Sequence, residues 1–461
     1  MRGGNAARAA RRVLVPGLAA SFADVAAPLR NDAFRRLWFS TFAWNFARWM
    51  EMTITGWVTL QLTGSPWLVA MTGVYRSAFL PIAGPITGAL SDRFDRVTLM
   101  KVAQWGNVLV VSAVAFALLT GRGAYWQIVL SGLWLGLSWG IDWPSRRALM
   151  ADLVGPQNVL PAIVLDNWTQ NASRVAGPLL AGTLLAVFGS GGAYAGLAAS
   201  FLLASALLAG VASAPRPAGA SVPGAAARSV WRDLASAVGA VRRDAPVAAV
   251  LVITVLMNCF LFPYQQLLSV FAEQVLFVGP VGLGYMGAAN GIGAVLGLFV
   301  LPRCRTLRSQ SLAFIGGSAG ACAALFLFAG AASFPVALML LVLLGLGTSA
   351  FGTMQSAIIL GRTPPAMRGR AMGLLAMAIG SAPLGALETG ILVERLGAPA
   401  AVAVNAVVCA LLILAVARRS GLLRLPRRAP PVVAAGGLPV VPGPPPAAVP
   451  AAVAPPAESA R

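Results

Sequence analysis

Six ionisable side chains fall inside runs that are otherwise apolar: Arg48, Arg76 and Arg174, and Glu51, Asp166 and Glu388. Each such charge costs about 2.5–3.5 kcal/mol at the centre of a bilayer on insertion scales, so it is carried only where it pairs or lines a polar cavity. The equal numbers of the two signs allow pairing. Two chemistries follow. A carboxylate deep in hydrocarbon favours its protonated form and can take up and release a proton. Glu51 is the first choice for that role, unless Arg48 or Arg76 holds it ionised. A guanidinium in the same setting attracts an anionic group, and Arg174 with Arg48 or Arg76 is suited to it.

The neighbouring residues extend both sites. Asp166, Gln170 and Arg174 recur every four residues with Asn167 and Asn171 beside them, which makes one polar stripe on an apolar helix. Asn45, Arg48, Glu51 and Thr55 share a broad face of the first apolar run, where an Arg48–Glu51 pair that only fixes packing is the plain alternative. Asn258 and Gln265, seven residues apart, supply neutral hydrogen-bonding groups from a third run. Asp166 lies near one end of its run, where a solvated structural carboxylate is an equal reading. Glu388 lies near the end of another and can snorkel. The chain has no histidine, and no Gly-rich loop precedes its one lysine, Lys101. Imidazole metal sites, imidazole bases and a P-loop ATPase are thereby excluded. No enzyme and no cofactor are expected; work must draw on a gradient or a partner.

The elements that position these residues are membrane helices. Of 461 residues, 58% are hydrophobic, and mean hydropathy is +0.78. Apolar runs near the ~20 residues that cross a bilayer as helix recur along the chain, without the alternation of a barrel. Twelve spans are expected, at 38–62, 66–90, 98–119, 125–147, 161–188, 191–213, 246–271, 280–301, 311–331, 334–358, 368–393 and 398–417. The net charge of +20 reads as topology rather than nucleic-acid binding, because 29 of the 34 Lys and Arg fall in the tails and alternate loops of one side. The positive-inside rule then puts both termini in the cytoplasm.

Residues 1–37 read as a retained cytoplasmic tail, although their basic, apolar, small-residue order superficially resembles a signal peptide. Two six-helix halves, 38–213 and 246–417, flank a Pro/Gly/Ala linker with a surface helix at 214–245. Residues 418–461 form a Pro/Ala-rich disordered tail. Gly177, Gly182 and Gly189 repeat as Gly385, Gly390 and Gly397 at an offset of 208, and Gly84 and Gly88 repeat as Gly293 and Gly297 at 209. Such spacing fits duplicated halves. Cys259, Cys304, Cys322 and Cys409 are scattered and form no ligand pair.

The stretch GALSDRFDRV at 88–97 resembles the loop signature of the major facilitator superfamily: Gly88, Asp92, Arg93 and Arg96 match. Asp95 stands where many members have glycine, and Val97 replaces the second basic residue. QLTGSPW, FLPIAGPITGALSDRFDR and TPPAMRGRAMG resemble the branch that holds the enterobactin exporter and drug exporters. GPLLAG at 177–182 is similar to the core of an antiporter and exporter motif, with Gly177, Pro178 and Gly182 at a kink. The upstream glycines of that motif are replaced by Asn167, Gln170 and Asn171.

The resemblance implies an all-α fold of two pseudo-symmetric six-helix bundles in the bacterial inner membrane. It implies proton-coupled export of a small organic molecule, siderophore or drug-like, by a monomer with alternating access. Import, or a receptor or scaffold that transports nothing, are the alternatives. It also implies a cytoplasmic gate: Asp92 against Arg368, Arg370 and the helix start they occupy, with Arg93 or Arg96 reaching Asp142. A carboxylate at such a helix start gains about 0.3–1 kcal/mol.

The composition of the C-terminal tail cannot bury a core. Truncation after Arg424 is therefore expected to leave membrane insertion and transport unchanged. Loss of transport with insertion intact would favour the scaffold alternative.

Overall fold

The computed structural model describes residues 25–79, 95–211, 239, 244–304, 306–364 and 367–424. Every regular element among them is helical. Helix α1, Asp32–Thr63, starts where the Asn31 side chain accepts from the amides of Ala33 and Phe34, and stops at Gly64 in the left-handed conformation (φ 64°). A two-residue reversal, Gly64 and Ser65, leads into α2, Pro66–Ser77, which Ser65 caps. Helix α3, Arg96–Leu119, is capped by Asp95, so that acid serves the turn. Helix α4 covers Tyr125–Val154.

Helix α5, Val159–Ala209, would measure about 76 Å if straight, far more than the ~30 Å apolar layer. It breaks instead at Gly189 (φ 66°, ψ −172°), between the expected spans 161–188 and 191–213. Pro178 lies inside the first arm of this helix with its dihedral angles in the helical range, and the chain reverses at Gly189, where glycine allows positive φ.

In the second half, α6 (Ala245–Leu256), a π-helical turn (Met257–Leu261) and α7 (Tyr264–Val270) follow one path with a second π turn, Phe271–Val275. Then come α8 (Gly279–Val300), α9 (Leu307–Ala329), α10 (Phe334–Arg362), α11 (Arg368–Ile379), α12 (Ala382–Leu396) and α13 (Ala398–Arg419). Among the described residues, eight helical stretches are long and apolar enough to cross a membrane. Helices α1 and α4 are long enough but less apolar, because α1 carries Asn45, Arg48 and Glu51 and α4 carries Asp142, Arg146 and Arg147.

Glycine lets the halves meet closely. A Cβ on Gly182 of α5 would lie 2.5 Å from the Pro280 carbonyl oxygen, and one on Gly284 of α8 would lie 2.8 Å from that of Pro178. A Cβ on Gly177 would strike the Trp49 side chain at 2.7 Å, tying α5 to α1. Helix α2 meets α12 through side chains, where a Cβ on Gly73 would lie 3.1 Å from the Ala386 methyl. These close approaches set where the polar residues of each half face one another.

Overpacking such a contact costs about 1–3 kcal/mol. Gly182→Ala is expected to lower the melting temperature of the purified protein. Gly320→Ala, whose added methyl meets nothing within 4 Å, is expected not to.

Candidate functional site

A cavity of 410 Å³ lies between the halves. One wall is charged and aromatic: Arg48 and Trp49 of α1, Arg76 of α2, Trp139 of α4 and Arg174 of α5. The facing wall is neutral, with Asn258, Gln265 and Gln266 on the α6–α7 path and Phe351 and Gln355 on α10.

Each guanidinium is held differently. Arg76 Nη2 lies 3.3 Å from Glu51 Oε2, and the Glu51 side chain is only 4% exposed. Thr55 Oγ1 donates to the other Glu51 oxygen at 3.2 Å and also lies 3.2 Å from the Tyr194 hydroxyl. Arg48 sits 4.2 Å above the Trp139 ring centroid, and among the described residues no carboxylate pairs with it within 4 Å. Arg174 lies 5.3 Å from the Trp49 ring, and its Nη2 donates to Asn290 Oδ1 at 2.6 Å. Three cations thus share one acid. Cation–π contact offsets part of the cost of burying a guanidinium, about 2 kcal/mol where water is excluded, but it leaves the charge in place.

Of the residues singled out in the sequence, Arg48, Arg76, Arg174, Asn258 and Gln265 line the cavity. Glu51 stands behind Arg76, bordering two pockets of 20 and 10 Å³. It pairs across helices with Arg76 rather than along α1 with Arg48. Asn45 is buried between α1 and α5, its Nδ2 donating to Thr169 Oγ1 at 3.3 Å.

The stripe on α5 does not act as one face of the site. Eight residues of helix rise about 12 Å, so Arg174 reaches the cavity while Asp166, far below, meets Arg147 at 3.7 Å. Asn171 donates to the Asn167 carbonyl at 2.7 Å on an exposed surface, and Gln170 is absent from the cavity lining. Glu388 accepts from Asn405 Nδ2 at 3.1 Å and Thr389 Oγ1 at 3.2 Å, away from the cavity.

For the expected gate, Gly88, Asp92 and Arg93 lie outside the described residues. Arg96 reaches Asp152 at 3.0 Å, not Asp142. Asp142 is buried inside the first half, where Arg146 Nη2 at 3.0 Å and Gln104 Nε2 at 3.2 Å both donate to its Oδ2. Arg368 opens α11 and donates through Nε to the Thr363 carbonyl at 3.3 Å, and Arg370 follows it in the first turn.

Sequence reasoning missed two features. Trp49 and Trp139 are the platforms beneath two arginines, a pairing between helices that no local spacing announces. The Asp142–Arg146 pair, at 0% and 2% side-chain exposure, was legible as an i,i+4 pair, but Asp142 was read as the gate partner of Arg93 or Arg96. Arg146 also donates to Thr41 Oγ1 at 2.9 Å and packs over Trp44.

A family model described as a transmembrane secretion effector matches residues 23–429. The chain is 24% identical to the enterobactin exporter EntS of Shigella boydii serotype 4 (strain Sb227) over 334 residues, 71% of this chain and 78% of that one. It is 29% identical to an uncharacterized MFS-type transporter, YfiS of Bacillus subtilis (strain 168), over 151 residues; that match spans 32% of this chain and 34% of the relative. Among solved structures, a bacterial homolog of the human lysosomal transporter Spinster, inward-facing and unoccupied, superposes with TM-score 0.67 at 13% identity. That alignment covers 85% of this chain and 98% of the other. A POT family transporter bound to a thioalcohol-conjugated peptide gives 0.67 at 11% identity over 85% and 96%. At such identities the two structures speak for the fold.

Removing one member of a buried ion pair costs about 3–5 kcal/mol, whereas apolar replacement of both is often neutral. Asp142→Ala is therefore expected to destabilise the purified protein strongly. Asp142→Leu combined with Arg146→Met should recover most of the melting temperature. A double variant no better than the single one would show that the pair's hydrogen bonds to α1 and α3 carry the stability.

Proposed function

The chain belongs to the transmembrane secretion effector family of MFS-type transporters, and from that membership we propose that it exports a small anionic organic molecule by alternating access. The single observation that carries this reading is the cavity wall on which three guanidiniums share one carboxylate. An anion entering there meets charge already desolvated and oriented, while the neutral amide and aromatic wall opposite accommodates an uncharged body. A siderophore-like or drug-like acid fits that division. The similarity to an enterobactin exporter supports export.

We take the architecture to be twelve spans in two six-helix bundles, monomeric, with both termini cytoplasmic, following the arginine distribution. The close approaches of α2 to α12 and α5 to α8 then lie toward the outer end, so the cavity faces the cytoplasm and is ready to load. Rocking about those glycine contacts would expose it outside.

Glu51 competes with an incoming anion for Arg76, so removing the charge of that carboxylate frees a cation and strengthens anion binding. For a substrate carrying one negative charge, the inside-negative membrane potential itself favours exit, by about 2.3 kcal/mol per 100 mV. Glu51 is the acid we propose to couple protons to the cycle.

Proteoliposomes test this with a panel of aromatic acids. Flux of an accepted acid should follow an imposed potential, and Arg48→Gln should lose it while remaining folded and inserted. Glu51→Gln, which removes the competing charge, should bind the accepted acid more tightly than wild type at the same pH. Flux indifferent to potential, or no gain in affinity in Glu51→Gln, would contradict the reading.

A further inference from the structure

A second, smaller pocket of 40 Å³ lies beside the main cavity, where Trp49 and Thr53 of α1, Pro178 of α5, Tyr264 of α7 and Asn290 of α8 come together. No carboxylate lines it. Tyr264 is 2% exposed and Asn290 5%. Asn290 Oδ1 already accepts from Arg174, which turns its amide nitrogen the other way. The Gln265 and Asn290 side chains approach the Tyr264 hydroxyl, but neither contact has good hydrogen-bond geometry, and the Asn290 nitrogen, that hydroxyl and the Nε of Arg174, which lines the adjoining main cavity, make no well-formed hydrogen bond among the described residues. Two of these three groups can only donate, and the hydroxyl is free to donate as well.

Buried donors left without acceptors are rare in native proteins, and each calls for an explanation. A cation is excluded chemically, because the guanidinium stands next to the site and no acid offsets it. The volume is a few times the ~10–15 Å³ that seats one water, so the occupant has one or a few heavy atoms. We propose that this pocket is an anion subsite. It holds a halide, or a single anionic oxygen of the transported molecule, on Asn290 Nδ2 and the Tyr264 hydroxyl, with Arg174 supplying the charge. Its walls come from both halves, so an occupied subsite ties α1 and α5 to α7 and α8. The halide source stands independently of the export reading; the substrate-oxygen source rests on it.

The test is thermal unfolding of the purified full chain, in chloride against gluconate at fixed ionic strength. In gluconate, 2-naphthoate is then compared with its neutral isostere 2-naphthamide. One of the two anions should raise the melting temperature saturably, and 2-naphthamide should not. Tyr264→Phe should weaken the apparent affinity for that anion about tenfold or more. Asn290→Asp places a fixed carboxylate beside Arg174 and should abolish the response. A chloride response assigns the site to free halide, whereas a response to 2-naphthoate alone assigns it to a substrate oxygen. The proposal is overturned if wild type responds to neither anion, or if Tyr264→Phe leaves the response intact. A positive shift in a protein that shows no flux would sink the export reading and leave the subsite standing.

Discussion

Three guanidinium groups share one carboxylate in the interior of a membrane helix bundle, and the rest of the structure is arranged around making that bearable. Moving an ion out of water costs several kcal/mol even after relaxation. Each arginine meets that cost by a different route: Arg76 by an ion pair, Arg48 by the face of Trp139, Arg174 by Trp49 and the Asn290 carbonyl. The last contact crosses from one half of the chain to the other. It is possible only because Gly284 and Gly291 let α8 lie against the backbone of α5, where any Cβ would strike the Pro178 or Arg174 carbonyl oxygen at 2.8 Å.

The division of labour between the halves follows from the same constraint. All the charged residues of the cavity sit on α1, α2 and α5, supported from behind by Thr55 and Tyr194. The opposite wall offers amides, a hydroxyl and two phenylalanines, with Thr254 donating to Gln355 at 3.0 Å to fix one of the amides. A molecule with a charged end and a neutral body would be gripped by both walls at once. That double grip is what an alternating-access cycle requires, since an occupant touching both halves can bias their relative position.

Much of this was legible in the sequence, and the reasons for the rest are physical. Helices announced themselves through apolar length, and the reversal at Gly189 fell between two expected spans because only glycine relieves positive φ there. The intramembrane arginines were found because charge in an apolar run has few innocent explanations. Partner choice was harder. Helical spacing placed Arg48 and Glu51 together, yet Glu51 pairs with Arg76, because tertiary contact between α1 and α2 overrides proximity along one helix. The α5 stripe misled for a related reason. Periodicity reports which face a residue is on, whereas depth along the axis decides whether it reaches the cavity. Trp49 and Trp139 carried no signal, since a tryptophan that stacks under an arginine reads in sequence like one that faces lipid.

The central claim is that the cavity carries uncompensated positive charge, and a thiol reporter reads that potential directly. Gly352 lines the cavity, and a side chain added there meets nothing within 4 Å. With Cys259, Cys304, Cys322 and Cys409 replaced by alanine, Gly352→Cys supplies a single thiol facing the site. Its reaction rates with an anionic and a cationic methanethiosulfonate are compared, each normalised to a free thiol in solution. A potential of a few kT should make the anionic reagent at least about tenfold faster, with the ratio collapsing in Arg48→Gln. Equal normalised rates, or a faster cationic reagent, would contradict the account.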